Sequence, residues 1–168
     1  HAVPLAGGEV STLADGPGAP TDLCVSGDDV FWTEYGGDAH GILGTVNRVS
    51  RSGGDVTVLA DGVRPPVAVA VAGDIVHWCE GGPLAQIEGY GRVAHVAREG
   101  GEVMLTLAGV SQAMPPLAAD SEAVYVGDRW TLKRLSLDAT SSQDLASAGF
   151  GIVFVATNGS VVAWVEGD

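Results

Sequence analysis

The sequence predicts an all-β domain assembled from a repeated unit of four short strands. Residues 8–16 and 54–62 read GEVSTLADG and GDVTVLADG, at an offset of 46 residues. Apolar and polar residues alternate over short stretches, and Gly or Pro turns interrupt them about every 8–12 residues. Four antiparallel strands repeated at about 40–50 residues are typical of a propeller blade. We therefore predict a β-propeller of four-stranded antiparallel blades with no long helix.

The repeat extends over the whole chain. A Trp-x-Glu motif recurs in three units, at Trp32/Glu34, Trp78/Glu80 and Trp164/Glu166. The third unit opens with GGEVMLTLAG and lacks this Trp. We predict a single domain over residues 1–168, with repeat units at about 7–52, 53–99, 100–141 and 142–168, the last completed by residues 1–6.

The second unit shows the strand pattern most clearly. Its predicted strands, enriched in β-branched residues, are Asp55–Ala60, Val67–Ala72, Ile75–Glu80 and Gly91–Ala97. Tight turns between the second and third strand of a unit are predicted at Gly27-Asp28, Gly73-Asp74 and Asn158-Gly159. The Trp-x-Glu motif thus falls on the third strand, which we expect towards the outside of the blade.

These motifs resemble a known propeller family. VFWTE, VHWCE and VAWVE resemble the YWTD-type strand, and GTVNRVSRSGG and GRVAHVAREGG resemble that family's fourth strand and turn. The chain is most similar to bacterial YWTD/TolB-like propeller repeat proteins of unassigned function. The resemblance implies a propeller fold and an extracytoplasmic, periplasmic or secreted, location. It implies no activity, and Glu replaces the family's Asp at 34, 80 and 166.

The number of blades stays open. The last unit lacks an outer strand and the N-terminal segment matches one, which favours a closed ring of four blades. In such a ring Ala2–Leu5 would pair with the strand around Val161–Val165 and remove a sheet edge. The YWTD resemblance instead favours a piece of a six- or seven-bladed ring.

Charge narrows the set of partners. Acidic residues outnumber basic ones 21 to 8, giving a formal net charge of −13. This excess disfavours nucleic acid and anionic membranes, and no run of apolar residues is long enough to span a bilayer. Cations, cationic ligands and basic proteins remain. Cys24 and Cys79 are compatible with one bridge or with two thiols.

Binding is predicted at one end of the meander, on a surface that we call the long-loop face. Its connections are Asp15–Thr21, Gly36–Leu43, Asp61–Pro66, Gly81–Tyr90 and Gly109–Pro116. Function tends to lie on loops held by a rigid scaffold. The candidate binding residues are Asp38, His40, Arg64, Gln86, Glu88 and Tyr90.

Other recurring residues have structural interpretations. Trp32, Trp78 and Trp164 are predicted to pack between blades, His77 to take an aromatic packing position, and Trp130 to be exposed. Asp38 and His40 supply two metal ligands, which do not make a site. We predict no cofactor. Ca²⁺ is the one ion considered, at a ring of Glu34, Glu80 and Glu166, for which a polar role at a strand end is favoured.

The pattern favours a non-catalytic binding or interaction module, because no set of residues is recognisable as catalytic. The alternative is a propeller enzyme of the lactonase or streptogramin-lyase type. Such an enzyme needs convergent acids, bases or His residues near the central axis.

Overall fold

A computed structural model describes residues 1–15, 18–36, 43–81, 91–110, 115–138 and 141–167. These residues form antiparallel β-sheets, and none of them lies in a helix. The prediction of an all-β fold is confirmed. Within the described ranges, no helix is therefore available to cross a membrane.

The strands form four successive sheets. Sheet 1 contains β1 (Ala19–Ser26), β2 (Asp29–Tyr35), β3 (Gly44–Ser50) and β4 (Thr57–Val63). Sheet 2 contains β5 (Pro66–Ala72), β6 (Ile75–Glu80), β7 (Gly91–Ala97) and β8 (Met104–Val110). Sheet 3 contains β9 (Leu117–Ala119), β10 (Ala123–Asp128), β11 (Thr131–Ser136) and β12 (Ser142–Ser147). Sheet 4 contains β13 (Gly151–Thr157) and β14 (Val162–Gly167).

The sheets are displaced by one strand from the sequence repeat. Residues 54–62, which open the second repeat unit, provide β4, the outer strand of sheet 1. In sheets 1, 2 and 4 the Trp-x-Glu motif therefore lies on the second strand rather than on an outer third strand. The expectation that these residues lie towards the outside of a blade is wrong, because each outer strand belongs to the next repeat unit.

Turn chemistry fixes the inner two strands of each sheet. Gly27 and Gly73 both have a φ of 58°, a left-handed conformation that favours Gly, in the β1–β2 and β5–β6 turns. The first strand then carries one extra residue, between Pro20 and Asp22 in β1 and between Pro66 and Ala68 in β5. The same irregularity recurs between Ile152 and Phe154 in β13. The predicted turns are thus confirmed, and the bulges add a feature that the sequence pattern did not reveal.

Apolar side chains fill each gap between neighbouring sheets. Phe31 and Val46 of sheet 1 pack with Val69 and Trp78 of sheet 2. A second cluster joins sheets 2 and 3, and a third joins sheets 3 and 4 around Ile152. Among the described residues no core cluster joins sheet 4 to sheet 1. Each sheet therefore depends on the sheets in front of it and behind it for burial.

The N-terminal segment forms a hairpin of its own. Ala2 and Ser11 form an antiparallel bridge, with N–O distances of 2.8 and 2.9 Å. The strand β14 is paired with β13. The pairing of Ala2–Leu5 with Val161–Val165 is therefore not present in this structure, because the segment folds back on the residues that follow it.

The three repeated Trp residues have different environments, which corrects the prediction that all are buried. Trp78 is fully buried, Trp32 is half-buried and Trp164 is 37% exposed. Trp78 faces sheet 1 and is covered by it. Trp32 lies on the side of sheet 1 that faces away from sheet 2, which we call its front, and Trp164 lies on the edge strand of the two-stranded sheet 4. Trp130 is exposed, as predicted.

Replacing Trp78 by Ala removes the largest side chain of the core between sheets 1 and 2. We expect Trp78→Ala to lower the free energy of unfolding by about 3–5 kcal/mol, because it leaves a cavity there. Trp164→Ala is the matched control at the same repeat position and should cost clearly less. Urea denaturation followed by fluorescence measures both losses, and equal losses would contradict the assigned environments.

Candidate functional site

The first strands of sheets 1, 2 and 3 enclose an axial cleft of about 330 Å³. Its walls are Asp22–Ser26 of β1, Val69–Val71 of β5 and Leu117–Ala119 of β9. These strands lie innermost because each sheet contacts its neighbour through its first strand. The cleft is thus a product of the sheet order. Asp22 and Ser26 are its two polar positions, at opposite ends of the part of β1 that lines it.

Asp22 ties sheet 1 to sheet 2 at the cleft. Its Oδ1 accepts a hydrogen bond from the backbone N–H of Leu23 (2.9 Å) and its Oδ2 from that of Val69 (2.9 Å). The neighbouring Thr21 hydroxyl lies 2.7 Å from the Pro66 carbonyl oxygen, to which it can donate. The bulge in β1 places both side chains against β5. Asp22 therefore has a structural role that leaves part of its charge facing the cleft.

The cysteine in the cleft wall is unreactive. Cys24 is half-buried and unbonded, and burial, followed by the charge of Asp22, raises the pKa of its thiol to about 12. Burial also raises the pKa of the Cys79 thiol, which lies between sheets 2 and 3. Since the thiolate is the nucleophilic form, neither residue is a nucleophile at neutral pH. The two cysteines do not form a disulfide.

Ion pairs between sheets occupy the opposite end of the meander, which we call the short-turn end. Arg98 of sheet 2 donates from Nη2 to the Ser26 carbonyl oxygen (2.6 Å) and to Asp29 Oδ2 (2.9 Å). Its guanidinium carbon lies 5.1 Å from the ring centroid of Phe31. Arg48 pairs with Glu99 at 2.8 Å. These contacts fasten the β7–β8 turn onto sheet 1.

Each repeated Glu is used to fix its Trp at the end of the second strand. Trp32 Nε1 donates to Glu34 Oε1 at 2.5 Å, Trp78 to Glu80 at 3.0 Å and Trp164 to Glu166 at 3.1 Å. Buried Glu80 also accepts from Arg92 Nε. Glu166 also accepts from the N–H groups of Phe150 and Gly149. The hydrogen bond from Trp164, followed by these two, lowers the pKa of the Glu166 carboxyl.

The polar role of these Glu residues at the strand ends is therefore confirmed. Within the described part of the chain, no group of three or more His, Cys, Asp or Glu side chains is placed to hold a metal ion.

The predicted binding residues are only partly located. Arg64 lies half-buried in the β4–β5 connection, on the long-loop face. Asp38, His40, Gln86, Glu88 and Tyr90 lie outside the described residues. Their convergence with Arg64 stays a prediction. The antiparallel strand order does place the β2–β3, β4–β5 and β6–β7 connections at the same end of the sheets.

A buried pair of His residues, His77 and His95, lies on sheet 2 and does not line the cleft. His77 is fully buried, and both of its ring nitrogens lack a hydrogen-bond partner among the described residues. Its ring centroid lies 5.4 Å from that of His95, whose Nδ1 is 2.6 Å from Thr106 Oγ1. Burial, then the proximity of His95, lowers the pKa of His77 to about 3. His77 therefore packs as a neutral ring, as its match to Phe31 predicted.

Sequence reasoning missed Asp22 and Arg98. Strand register places Asp22 where Ala68 stands in sheet 2 and Phe154 in sheet 4. A charged residue at an otherwise apolar repeat position was the available signal. Arg98 had no comparable signal, because its partners Ser26 and Asp29 lie in a different repeat unit.

Comparison with known proteins supports the fold. No family model matches the chain, and no curated protein matches it. Among solved structures it is similar to the computationally designed Ika4 protein, with a TM-score of 0.67 and 16% identity over 94% of this chain and 91% of that chain. The designed Ika8 protein gives a TM-score of 0.63 at 16% identity, covering 87% of this chain and 42% of that one.

The tricorn protease gives a TM-score of 0.55 at 11% identity, covering 85% of this chain and 15% of its own. These neighbours include a designed propeller and a protease that contains a propeller. At these identities the likeness concerns the fold alone. Together with the four-stranded antiparallel sheets, it identifies the class of the chain as a β-propeller-like protein.

Acid should destabilise the domain through His77. Its pKa is about 3 when folded and 6.5 as a free side chain, so the unfolded chain binds the proton more readily between these values. The contribution of neutral His77 to the free energy of unfolding is thus complete above about pH 6.5. It is lost on acidification, at up to about 1.4 kcal/mol per pH unit. Urea denaturation at about pH 7 and about pH 5 should show a smaller loss for His77→Phe than for the parent. His1→Ala, at an exposed position, should retain the parent's pH dependence.

Glu80 and Glu166 offer a second matched pair. Glu80→Ala should lower the free energy of unfolding by about 2–3 kcal/mol, because it leaves Arg92 and the buried Trp78 indole without their acceptor. Glu166→Ala removes an exposed acceptor at the same repeat position and should have a much smaller effect. Thermal melts of both variants measure the difference, and a greater loss for Glu166→Ala would refute this account.

Proposed function

We propose that this domain is a non-catalytic binding module that engages its partner through the long-loop face. The observation that carries the proposal is the placement of the long connections of sheets 1 and 2 at one end of a rigid stack of sheets. The opposite end is used for ion pairs that hold the sheets together, such as Arg98 with Asp29. Loops on such a scaffold can vary without disturbing the core.

The partner that fits this surface best is a basic segment of another protein. The chain has 21 acidic and 8 basic residues. Asp61 is exposed at the long-loop face. Arg92, at the same end of the sheets, is paired with the buried Glu80, and Arg98 and Arg48 are paired with acidic groups at the short-turn end. A cationic chain would be attracted to this surface by long-range electrostatic interaction, and added salt would screen that attraction and reduce its range. The predicted contact residues are Asp38, His40, Arg64, Gln86, Glu88 and Tyr90.

No observation on the described residues favours the lactonase or streptogramin-lyase alternative. His77 and His95 lie between sheets, and the Cys24 thiol of the cleft is protonated at neutral pH. The binding module is therefore the single function that we propose.

Decalysine is a suitable probe for this surface. We expect it to shift the amide NMR signals of the long-loop face, including Asp61 and Arg64, with an affinity that falls as salt is added. Asp61→Lys should weaken binding several-fold, since it reverses a charge beside the proposed contact. Asp74→Lys is the matched control, an exposed Asp at the short-turn end, and should have little effect. Shifts centred on the short-turn end, or equal effects of the two variants, would rule out the assigned face.

A further inference from the structure

The N-terminal hairpin, residues 1–15, repeats the outer two strands of a sheet. Its bridge joins Ala2 and Ser11, and the residues 46 positions later, Arg48 and Thr57, are partners in the β3–β4 register. In sheet 2 the corresponding partners are His95 and Met104. The hairpin is therefore in the register of an outer strand pair.

The turn of this hairpin has the same backbone conformation as its repeats. Gly7 and Gly8 have φ values of 81° and 136°, against 81° and 123° for Gly53 and Gly54. Gly100 and Gly101 have values of 91° and 133°. In each turn the first Gly donates its N–H to a carbonyl three residues earlier, at 2.8 Å. The segment is thus preformed as an outer hairpin.

Among the described residues, sheet 4 consists of the inner two strands of this pattern. Its β13 and β14 carry the bulge between Ile152 and Phe154 and the Trp164–Glu166 hydrogen bond, the features that mark the first two strands of sheets 1 and 2. The outer edge of β14 has no strand beside it among the described residues. The hairpin has the register of the outer strand pair that would continue this sheet.

Apolar residues are exposed on both surfaces that such a pairing would cover. Phe154 and Val165 of sheet 4 are 68% and 55% exposed, although their counterparts Ala68 and Cys79 are buried against sheet 3. Leu23 on the front of sheet 1 is 64% exposed, although its counterpart Val69 is buried against sheet 1. The exposed surface of sheet 4 thus corresponds to the surface of sheet 2 that packs on sheet 3. The exposed surface of sheet 1 corresponds to the surface of sheet 2 that packs on sheet 1.

We propose that a second copy of this chain occupies the β14 edge, with the N-terminal hairpin of each copy completing sheet 4 of the other. The register follows from the Phe31–Arg48 and His77–His95 pairs and sets Ala2 opposite Ala163 and Val3 opposite Val162. The partner's sheet 4 then packs its Phe154 and Val165 on Leu23.

Reciprocal exchange fits the structure because, among the described residues, neither the hairpin nor the outer edge of β14 is paired with another strand of the same chain. Backbone atoms of Thr12 and Leu13 lie beside Gly53, so the end of the hairpin segment is next to the β3–β4 turn of sheet 1. In a dimer with a two-fold axis, each copy supplies one hairpin and receives one, so both edges are paired by the same contact. The exchange removes two exposed sheet edges.

A pair of engineered cysteines tests the register and the occupant together. Directly opposed residues of antiparallel strands are close enough for a disulfide. Ala2→Cys combined with Ala163→Cys should therefore give a covalent dimer on mild oxidation, seen by non-reducing electrophoresis. Ala2→Cys with Ala156→Cys, on the inner strand, is the control and should stay uncrosslinked. An internal disulfide in a monomer, or no disulfide, would overturn the assignment to a second copy.

Analytical ultracentrifugation of the parent chain gives an independent test. We expect a dimer whose association is weakened about tenfold or more by Phe154→Asp or Val165→Asp, because each buries an unpaired charge in the contact. Both residues are exposed in the single chain, so neither variant should lose the β-type circular dichroism spectrum. Val58→Asp, an equally exposed position on β4, should remain dimeric. A parent that is monomeric at every concentration would disprove the proposal.

Discussion

Burial of both faces of each sheet by its neighbours is the constraint on which the rest of the structure depends. A single four-stranded sheet has two faces and can hide neither alone. Sheet 2 has a neighbour on each side and contains the fully buried Trp78, His77 and Glu80. Among the described residues, sheets 1 and 4 have one neighbour each. The matching Trp32, Glu34, Trp164 and Glu166 are partly or largely exposed there, whereas Phe31, which faces sheet 2, is buried. The environment of a residue thus depends on whether its side of the sheet has a neighbour, and its place in the repeat does not decide this alone.

The polar contacts between sheets act within this constraint. Arg98 with Asp29 and Asp22 with Val69 N–H join sheets 1 and 2, and Thr157 donates to Asp120 between sheets 3 and 4. Asp120 also accepts from the Tyr125 hydroxyl and from two backbone N–H groups. Such bonds are directional, whereas apolar contact is not. They determine which strands of neighbouring sheets lie opposite each other, and apolar burial supplies most of the stability.

The strands and turns were predictable from the sequence because their causes are local. Alternation and Gly-Asp turns predicted β5, β6 and β7 within about one residue of their bounds, since both signals act over a few residues. The assignment of strands to sheets was not predictable from the repeat, because a repeat has no natural starting point. Burial of Trp32 and Trp164 was predicted wrongly for a related reason, since the repeat does not show which unit has a neighbour. The axial cleft depends on three separate strands and therefore has no local sequence signature. The placement of Asp38, His40 and the other loop residues stays a prediction.

The displacement between repeat and sheet has a consequence for how such a chain can change by gene duplication. A copied unit carries the outer strand of the sheet before it and the inner strands of its own. Insertion of one unit therefore leaves every existing sheet complete and adds one more to the row. A boundary between repeat units falls between the third and the outer strand of a sheet. After recombination at such a boundary, the old and the new sequence are therefore paired by the backbone hydrogen bonds of one sheet. Each junction between old and new sequence is in this way stabilised by backbone hydrogen bonds between two strands. The number of sheets can therefore change during evolution without a new type of contact between sheets.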